Sequence, residues 1–467
     1  MIKSKVTTEE MCHGPLAGNL ILYTLPIVLT GILQLLFSAV GMIIVGQFAP
    51  EGSLAAIGST GALINLIINV FLGLSVGANV TTARYFGEGN KEGVSEVAHT
   101  SIVTSVFGGI ITMIVGVIFS ETFLLWMGTP DDIIDLAALY MRVYFYGLPA
   151  LMLYNYGAAI LRAAGDTKNP LYFLSAAGVI NVVLGLVFVI VFKMGVAGAA
   201  LATAISQYIA AFLVLRFLMK STGWERIDLR RLRIHKDKLK KILLIGLPAG
   251  IQGSVFSISN VVIQSSVNSF GSVFMEGSSA AANIEGFVYT AMNSFYHAAV
   301  TFTGQNFGAK NYRRINKILL TCIVMVTVTG IVLGFLAYLH RYQLLGLYCP
   351  DSPEAIEAGI IRMRMICLLY FFCGIMEVIV GSVRGLGASV TPMVVSLLGA
   401  CGLRIVWIKT VFHALRTPTS LFVSYPISWA ITASAHMICY VIIKKRLVSR
   451  VSDVGVLPDA EAELICR

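Results

Sequence analysis

The chain has 467 residues, 57% of them hydrophobic and 12% charged, with a mean hydropathy of +0.82; that is about half the charge of an ordinary soluble domain. Such a composition excludes a soluble enzyme or a nucleic-acid-binding body, and twelve spans of about 20 residues would occupy about half the chain. The net charge of +10 therefore has to be read through its distribution along a membrane protein.

In chain order, hydropathy predicts spans over 16–48, 54–80, 98–119, 136–162, 171–192 and 195–219, then over 242–269, 277–303, 315–339, 357–384, 393–413 and 418–443. The first apolar stretch, from Leu16 to Val45, is too long for the core of a cleaved signal and carries no small-residue cleavage site, so it is read as a span. No segment shows the ten-residue alternation of a membrane β-barrel, and backbone groups in lipid must then be satisfied within helices. The expected fold is an all-α membrane protein of twelve transmembrane helices. Its parts are an N-terminal six-helix lobe over 1–219, a cytoplasmic basic connector over 220–241, a C-terminal six-helix lobe over 242–443 and a cytoplasmic tail over 444–467.

Sorting the loops by parity tests the span count. The N-terminus, the even-numbered loops and the tail hold 25 of the 34 Lys and Arg residues, from Lys3 and Lys5 to Lys444, Lys445 and Arg467. The odd-numbered loops hold only Lys193, Arg341 and Arg416 among several acidic residues. Both termini are therefore expected in the cytoplasm of a multi-pass cell-membrane protein. The densest basic run, Trp224 to Lys241, could suggest nucleic acid, but between spans six and seven it reads as a connector that sets topology and touches anionic headgroups.

An internal repeat organises the chain. LRAAGDTKNP, ending at Pro170, matches VRGLGASVTP, ending at Pro392, with Arg162 against Arg384 and Gly165 against Gly387, at an offset of 222. Phe86, Gly87 and Asn90 match Phe307, Gly308 and Asn311 at 221; Pro26 matches Pro248 at 222; Pro130-Asp131 matches Pro350-Asp351 at 220. Each unit contains six helices, and an even number returns the chain to its starting side. The repeats are therefore expected to be parallel, which is transporter architecture, with the seam between them as the substrate path.

Ionisable side chains inside spans are costly enough to be functional candidates. Only two acidic residues lie well inside spans: Glu285 in span eight and Glu377 in span ten, both in the second half. Either serves cation or proton coupling, with Glu377 as primary acceptor and Glu285 as its partner or as the anion that meets substrate, or each is paired permanently with Arg404 or another intramembrane arginine and serves structure. Arg404, in span eleven, is the best intramembrane counter-charge, with Glu377, Glu285 or a backbone carbonyl open as its partner. Arg362 and Arg364 are expected to reach the interface or to pair with Glu354 and Glu357. Asn155 stands at the repeat position of Glu377, so one place is polar in one lobe and acidic in the other. Gln34, Asn65, Asn69, Asn155, Asn181, Thr203, Gln207, Gln252, Asn260, Gln264, Asn283 and Asn293 are the neutral polar candidates for a cavity lining. His297 and His436 are read as helix contacts.

The eight cysteines, Cys12 to Cys466, include no CxxC pair or Cys/His ligand spacing, so free thiols and no metal are expected. No phosphate loop, GxSxG or HExxH occurs, so the chain is not expected to be an enzyme or to use bound ATP.

Taken together in order, IIVGQF, GLSVGANVTTARYFGEGN, LRAAGDTKNP, GVAGAALATAISQ, GLPAGIQGSVFSISNVVIQ, NIEGFVYTAMNSF, TGQNFGAKN and VRGLGASVTPMVVSLLGACGLRIVW resemble the multidrug and toxic compound extrusion (MATE) family over nearly the whole chain. The resemblance implies two six-helix lobes in a V around a central cavity. It also implies export of small organic, often cationic, compounds against inward flow of protons or sodium, with no other cofactor. By the same resemblance Gln34, Asn155, Asn181 and Thr203 would line a first-lobe substrate cavity. The family pattern also places an Asp in span one and another four residues after an Asn in span five; here those positions are Gly41 and Gly185, although Asn181 is kept. If the chain is coupled to an ion, the second lobe should then hold the site. A monomer in the bilayer, with no nucleic-acid partner, is expected. The alternatives are a lipid-linked saccharide flippase, which would need more cationic residues in its cavity, and a transporter-like protein that has lost ion coupling.

Overall fold

The computed structural model describes residues 5–453; Lys3, Cys466, Arg467 and most of the predicted tail lie outside them. The described residues form helices and no strand. After a short α1 (Thr8–His13) come α2 (Leu16–Phe48), α3 (Ser53–Gly87) and α4 (Lys91–Trp126). Next, α5 (Asp131–Tyr146) and α6 (Leu148–Ala163) form one span, bent by 46°. They are followed by α7 (Lys168–Leu186), which continues as a π turn over Val187–Val191, and α8 (Gly195–Lys220).

The second half repeats this order: α9 (Lys236–Asn268), α10 (Ser272–Gly308), α11 (Tyr312–Leu339) and a short α12 (Arg341–Gly346). Its bent span joins α13 (Pro353–Ile366), a 3-10 turn at Cys367–Leu369 and α14 (Phe371–Gly385), at 45°. The helix Val390–Leu415 consists of α15 (Val390–Ser396), α16 (Leu403–Trp407) and α17 (His413–Leu415), with π turns at Leu397–Gly402 and Ile408–Phe412 between them. Last come α18 (Pro418–Phe422) and α19 (Ser424–Asp453), so the first residues of the predicted tail are helical.

Nine of these helices are long and apolar enough to cross a membrane, or eleven with each bent pair counted as one span, among the described residues. The remaining long helix, α10, at the place of the predicted eighth span, is more polar and is not among them. Its 37 residues include Glu276, Glu285 and a run of Ser, Asn and Gly.

The repeat extends to backbone geometry. Gly165 and Gly387 both adopt left-handed conformations, with φ of 85° and 87°, at the turn that closes each bent span. A Cβ is disfavoured in that region, which is why both halves keep glycine there. The two bends also fall at equivalent places. In the first half Gly147 and Pro149 locate it, since proline opens the hydrogen bond one turn back; in the second half the 3-10 turn does so without proline.

The chain divides into two compact units. One is Leu29–Gly250 with the segment ending at Thr7, and the other is Thr8–Val28 with the chain from Ile251 onward. Each division falls inside a helix, two residues after Pro26 in α2 and two after Pro248 in α9.

Within the first unit, Gly73 and Gly77 of α3 meet Gly246 and Gly250 of α9 so closely that a Cβ on Gly73 would lie 2.0 Å from the Gly250 nitrogen. In lipid, where no hydrophobic force drives one apolar helix onto another, such small-residue seams let backbones pack. The basic connector is shorter than expected, because α8 persists to Lys220 and α9 begins at Lys236. It is also packed down. Trp224 stacks on Phe86 at 5.6 Å, His99 accepts the Asp228 backbone N–H at 3.0 Å, and Thr100 accepts that of His235 at 3.1 Å. Lys238 is taken up by Glu96 at 3.2 Å and by the Tyr85 hydroxyl at 2.9 Å.

Candidate functional site

In the first unit a cavity of about 490 Å³ opens among α2, α3, α5, α6, α7 and α8. It brings together Gln34, Asn155, Asn181 and Thr203, the four residues chosen for a first-lobe lining, and adds Gln207 from the wider set. Ser38, Ser206 and three tyrosines, Tyr140, Tyr144 and Tyr154, were not singled out in the sequence; serine and tyrosine are too common in spans to stand out.

The hydrogen bonds fix the amides. Asn155 donates to the Leu151 carbonyl at 2.9 Å. Asn181 on α7 donates to the hydroxyls of Thr203 and Ser206 on α8, at 3.2 and 3.4 Å. The rings of Tyr140 and Tyr144 stack at 6.1 Å. Gly178 lets the Phe37 ring approach to where a Cβ would sit 1.9 Å from it, narrowing the space beside Asn181. Gly41 and Gly185 both line the cavity and leave it open: a Cβ at Gly41 would meet nothing within 4 Å, and one at Gly185 only Ile44 at 3.7 Å. Among the described residues, no acidic or basic side chain lines it.

The second unit holds the two acidic residues that lie well inside predicted spans. Glu285 on α10 is buried and paired with Arg362 of α13 in a two-pronged contact, at 2.8 and 3.0 Å, while Arg362 also donates to Ser278 at 3.0 Å. This corrects two expectations. Arg362 does not turn to Glu354 or Glu357, and Arg404 is not the counter-charge of Glu285. The physical reason is the depth of Arg362: its side chain is only 11% exposed, and the buried carboxylate of Glu285 meets it there with two hydrogen bonds that offset part of the cost of taking both charges out of water. Arg404 is buried as well, but it donates to Ser428 at 2.8 Å and lies over the rings of Tyr425 and Trp429, at 4.2 and 5.4 Å. Trp429 stacks on Tyr370, and Tyr370 on Tyr289.

Glu377 on α14 is partly buried and has no hydrogen bond or ion pair among the described residues; Arg384 is the cation whose field reaches it. Arg384 itself is held by Tyr296 at 2.6 Å and Gln252 at 2.9 Å. Glu285, Glu377 and Arg404 are thus in one unit, and among the described residues no hydrogen bond or ion pair joins any two of them. Sequence spacing carries no signal for the Glu285–Arg362 pair, whose members stand 77 residues apart. The other amides proposed as lining include local bridges: Asn293 donates to Tyr289 and Gln264 to Asn268.

Outside the spans, Asp166 in the LRAAGDTKNP turn is buried. Burial raises its carboxyl above the ordinary value, opposed by the Asn169 backbone and side-chain N–H groups and by Lys5. The Cys12 thiol on α1 is pushed up to about 11 by burial, with Arg314 acting against the shift. Among the described residues no group of three or more His, Cys, Asp and Glu is placed to hold a metal.

The MatE family model matches residues 26–187 and again 248–408, one copy in each half. YoeA of Bacillus subtilis, named a probable multidrug resistance protein, is 28% identical over 91% of this chain and 94% of its own length. YpnP of the same organism, named likewise, is 28% identical over 85% of this chain and 88% of its own. Among solved structures, a MOP superfamily transporter from Pyrococcus furiosus superposes with a TM-score of 0.88, covering 95% of this chain and 99% of that one at 21% identity.

Proposed function

The chain belongs to the MatE family, and on that premise we propose that it is a secondary active exporter of small organic molecules, driven by inward flow of protons or sodium. It works by alternating access, as a monomer in the cell membrane with both termini in the cytoplasm. The excess of Lys and Arg in the N-terminus, even loops and tail supports that orientation.

One observation carries the division of labour. At a single repeat position the first unit has Asn155, lining an uncharged cavity, and the second has Glu377, a carboxylate inside the membrane with no ion pair among the described residues. Substrate binds the first place and the coupling ion the second. Glu285, neutralised by Arg362, holds α10 against α13 rather than taking up ions. Coupling requires the ion to bind one state of the protein better than the other, by a free energy that substrate binding offsets. A flippase for lipid-linked saccharides fits less well, since the cavity offers no cationic side chain to a phosphate.

The test is dye efflux from proteoliposomes under an imposed pH or sodium gradient. Wild type should respond to one of the two, and Glu377→Gln should lose at least tenfold of that gradient-driven rate while still binding dye. A wild type indifferent to both gradients would sink the antiport reading; an unimpaired Glu377→Gln would sink the role of Glu377 alone.

A further inference from the structure

We propose that the cavity of the first unit selects neutral, ring-bearing molecules that carry N–H or O–H donors, and discriminates against permanent cations; this rests on the cavity being the substrate site. The lining contains no Asp, Glu, Lys, Arg or His. A cation entering it sheds water and meets no carboxylate, a loss that the faces of tyrosine rings recover only in part.

Hydrogen bonds fix the sense of five of the polar groups, Asn155, Asn181, Thr203, Ser206 and Tyr154. The Leu151 carbonyl can only accept, so the amide nitrogen of Asn155 must point to it, leaving the Asn155 oxygen to the cavity. The Thr203 hydroxyl gives its proton to the Ala199 carbonyl at 3.0 Å, and the Ser206 hydroxyl gives its proton to the Thr203 carbonyl at 2.8 Å. Both hydroxyl oxygens therefore accept from Asn181, whose own carbonyl oxygen is left as a second acceptor. The Tyr154 hydroxyl is spent on the Pro170 carbonyl at 3.1 Å. Two amide oxygens beside the stacked Tyr140 and Tyr144 rings thus suit a flat molecule with donors at its edge. A ligand without donors would leave both acceptors dry.

A matched pair of fluorescent tricycles tests this: 2-aminoacridone, neutral with N–H donors, and 3-amino-10-methylacridinium, similar in shape but permanently charged. Binding is measured by fluorescence on the full chain in nanodiscs. The neutral probe should bind at least tenfold tighter. Asn155→Asp should move the ratio at least tenfold toward the cation, and Asn181→Leu should weaken the neutral probe about tenfold. Equal or tighter binding of the cation by wild type overturns the selectivity and leaves the cavity as substrate site; this arm needs no variant to fold. Failure of both probes to bind, or binding unmoved in well-folded Asn155→Asp and Asn181→Leu, would remove the cavity as the substrate site, and the reading of its function with it.

Discussion

The two units place different side chains on one repeated scaffold, and the difference decides whether the space between helices is open or filled. In the first unit Ser206 donates to the Thr203 carbonyl and accepts from Asn181; in the second, Ser428 donates to the Tyr425 carbonyl and accepts from Arg404. Thr203 and Tyr425, Ser206 and Ser428, and Gln207 and Trp429 are each 222 residues apart, whereas Asn181 and Arg404 are 223 apart. A π turn accommodates one additional residue in a helix, and Leu397–Gly402 is such a turn, placed just before Arg404. The extra residue brings Arg404 to the serine that its counterpart, Asn181, meets in the other half. Small and neutral residues in the first unit leave a cavity; Tyr425, Trp429 and Arg404 pack against one another at the corresponding place in the second. One duplicated unit thus yields an open chamber in one half and a packed, charged helix contact in the other through a few substitutions and a local one-residue shift of register.

Breaking the charged side should have the largest effect. Glu285→Ala strands the buried Arg362, at a cost of about 3–5 kcal/mol for an unpaired charge. The expected result is a marked fall in melting temperature in detergent and in the yield of folded protein, and Glu285→Ala with Arg362→Leu should recover most of it. A double variant no better than the single one would deny the pair its role.

The open side can be closed with the other unit's own residues. Thr203→Tyr with Gln207→Trp should fill the chamber and weaken 2-aminoacridone binding by more than tenfold, over about 1.4 kcal/mol, with a monodisperse protein by size exclusion. Unchanged affinity would mean that the probe binds elsewhere.

A smaller change would give the first unit a charge of its own. Gly185→Asp introduces a carboxylate where there is room for its Cβ, so it meets no clash, but a charge at that buried place inside a span should lower stability in detergent through desolvation. The preference between the two tricycles should shift toward the cation.

The smallest expected effect lies outside the spans. Because burial raises the Asp166 carboxyl, its contribution to stability is fully present below the ordinary carboxylate pKa and is lost as pH rises through the raised value. Asp166→Asn should flatten the part of the melting-temperature profile that lies just above the ordinary carboxylate range. An identical slope in both proteins would show that another group titrates there.

Much of this was legible in the sequence. Hydropathy located the long helices, up to eleven of them apolar enough to cross a membrane among the described residues, because lipid forces long apolar helices, although the bends at Gly147 and Tyr370 and the π turns were not visible. Proline flags a bend only where there is one, and a π turn has no composition of its own. Gln34, Asn155, Asn181 and Thr203, chosen through the family resemblance, all line one cavity, whereas polarity inside a span did not separate them from Asn65, Asn69, Asn260 or Asn283, which do not line it. Arg362 was misread because it stands near the outer start of its span, where an arginine commonly reaches water. Here the bend after α13 and the packing of α13 on α10 hold it inside.

The sequence alone determined membrane residence, the duplicated six-helix plan and which few side chains carried charge into the bilayer, since those follow from transfer energies and local periodicity. Only the tertiary structure decided which of those charges meet. Glu285 joins Arg362 and Arg404 joins Ser428 across dozens of residues. Such pairings depend on the rotation of one helix against another, which the order of residues along the chain does not encode locally.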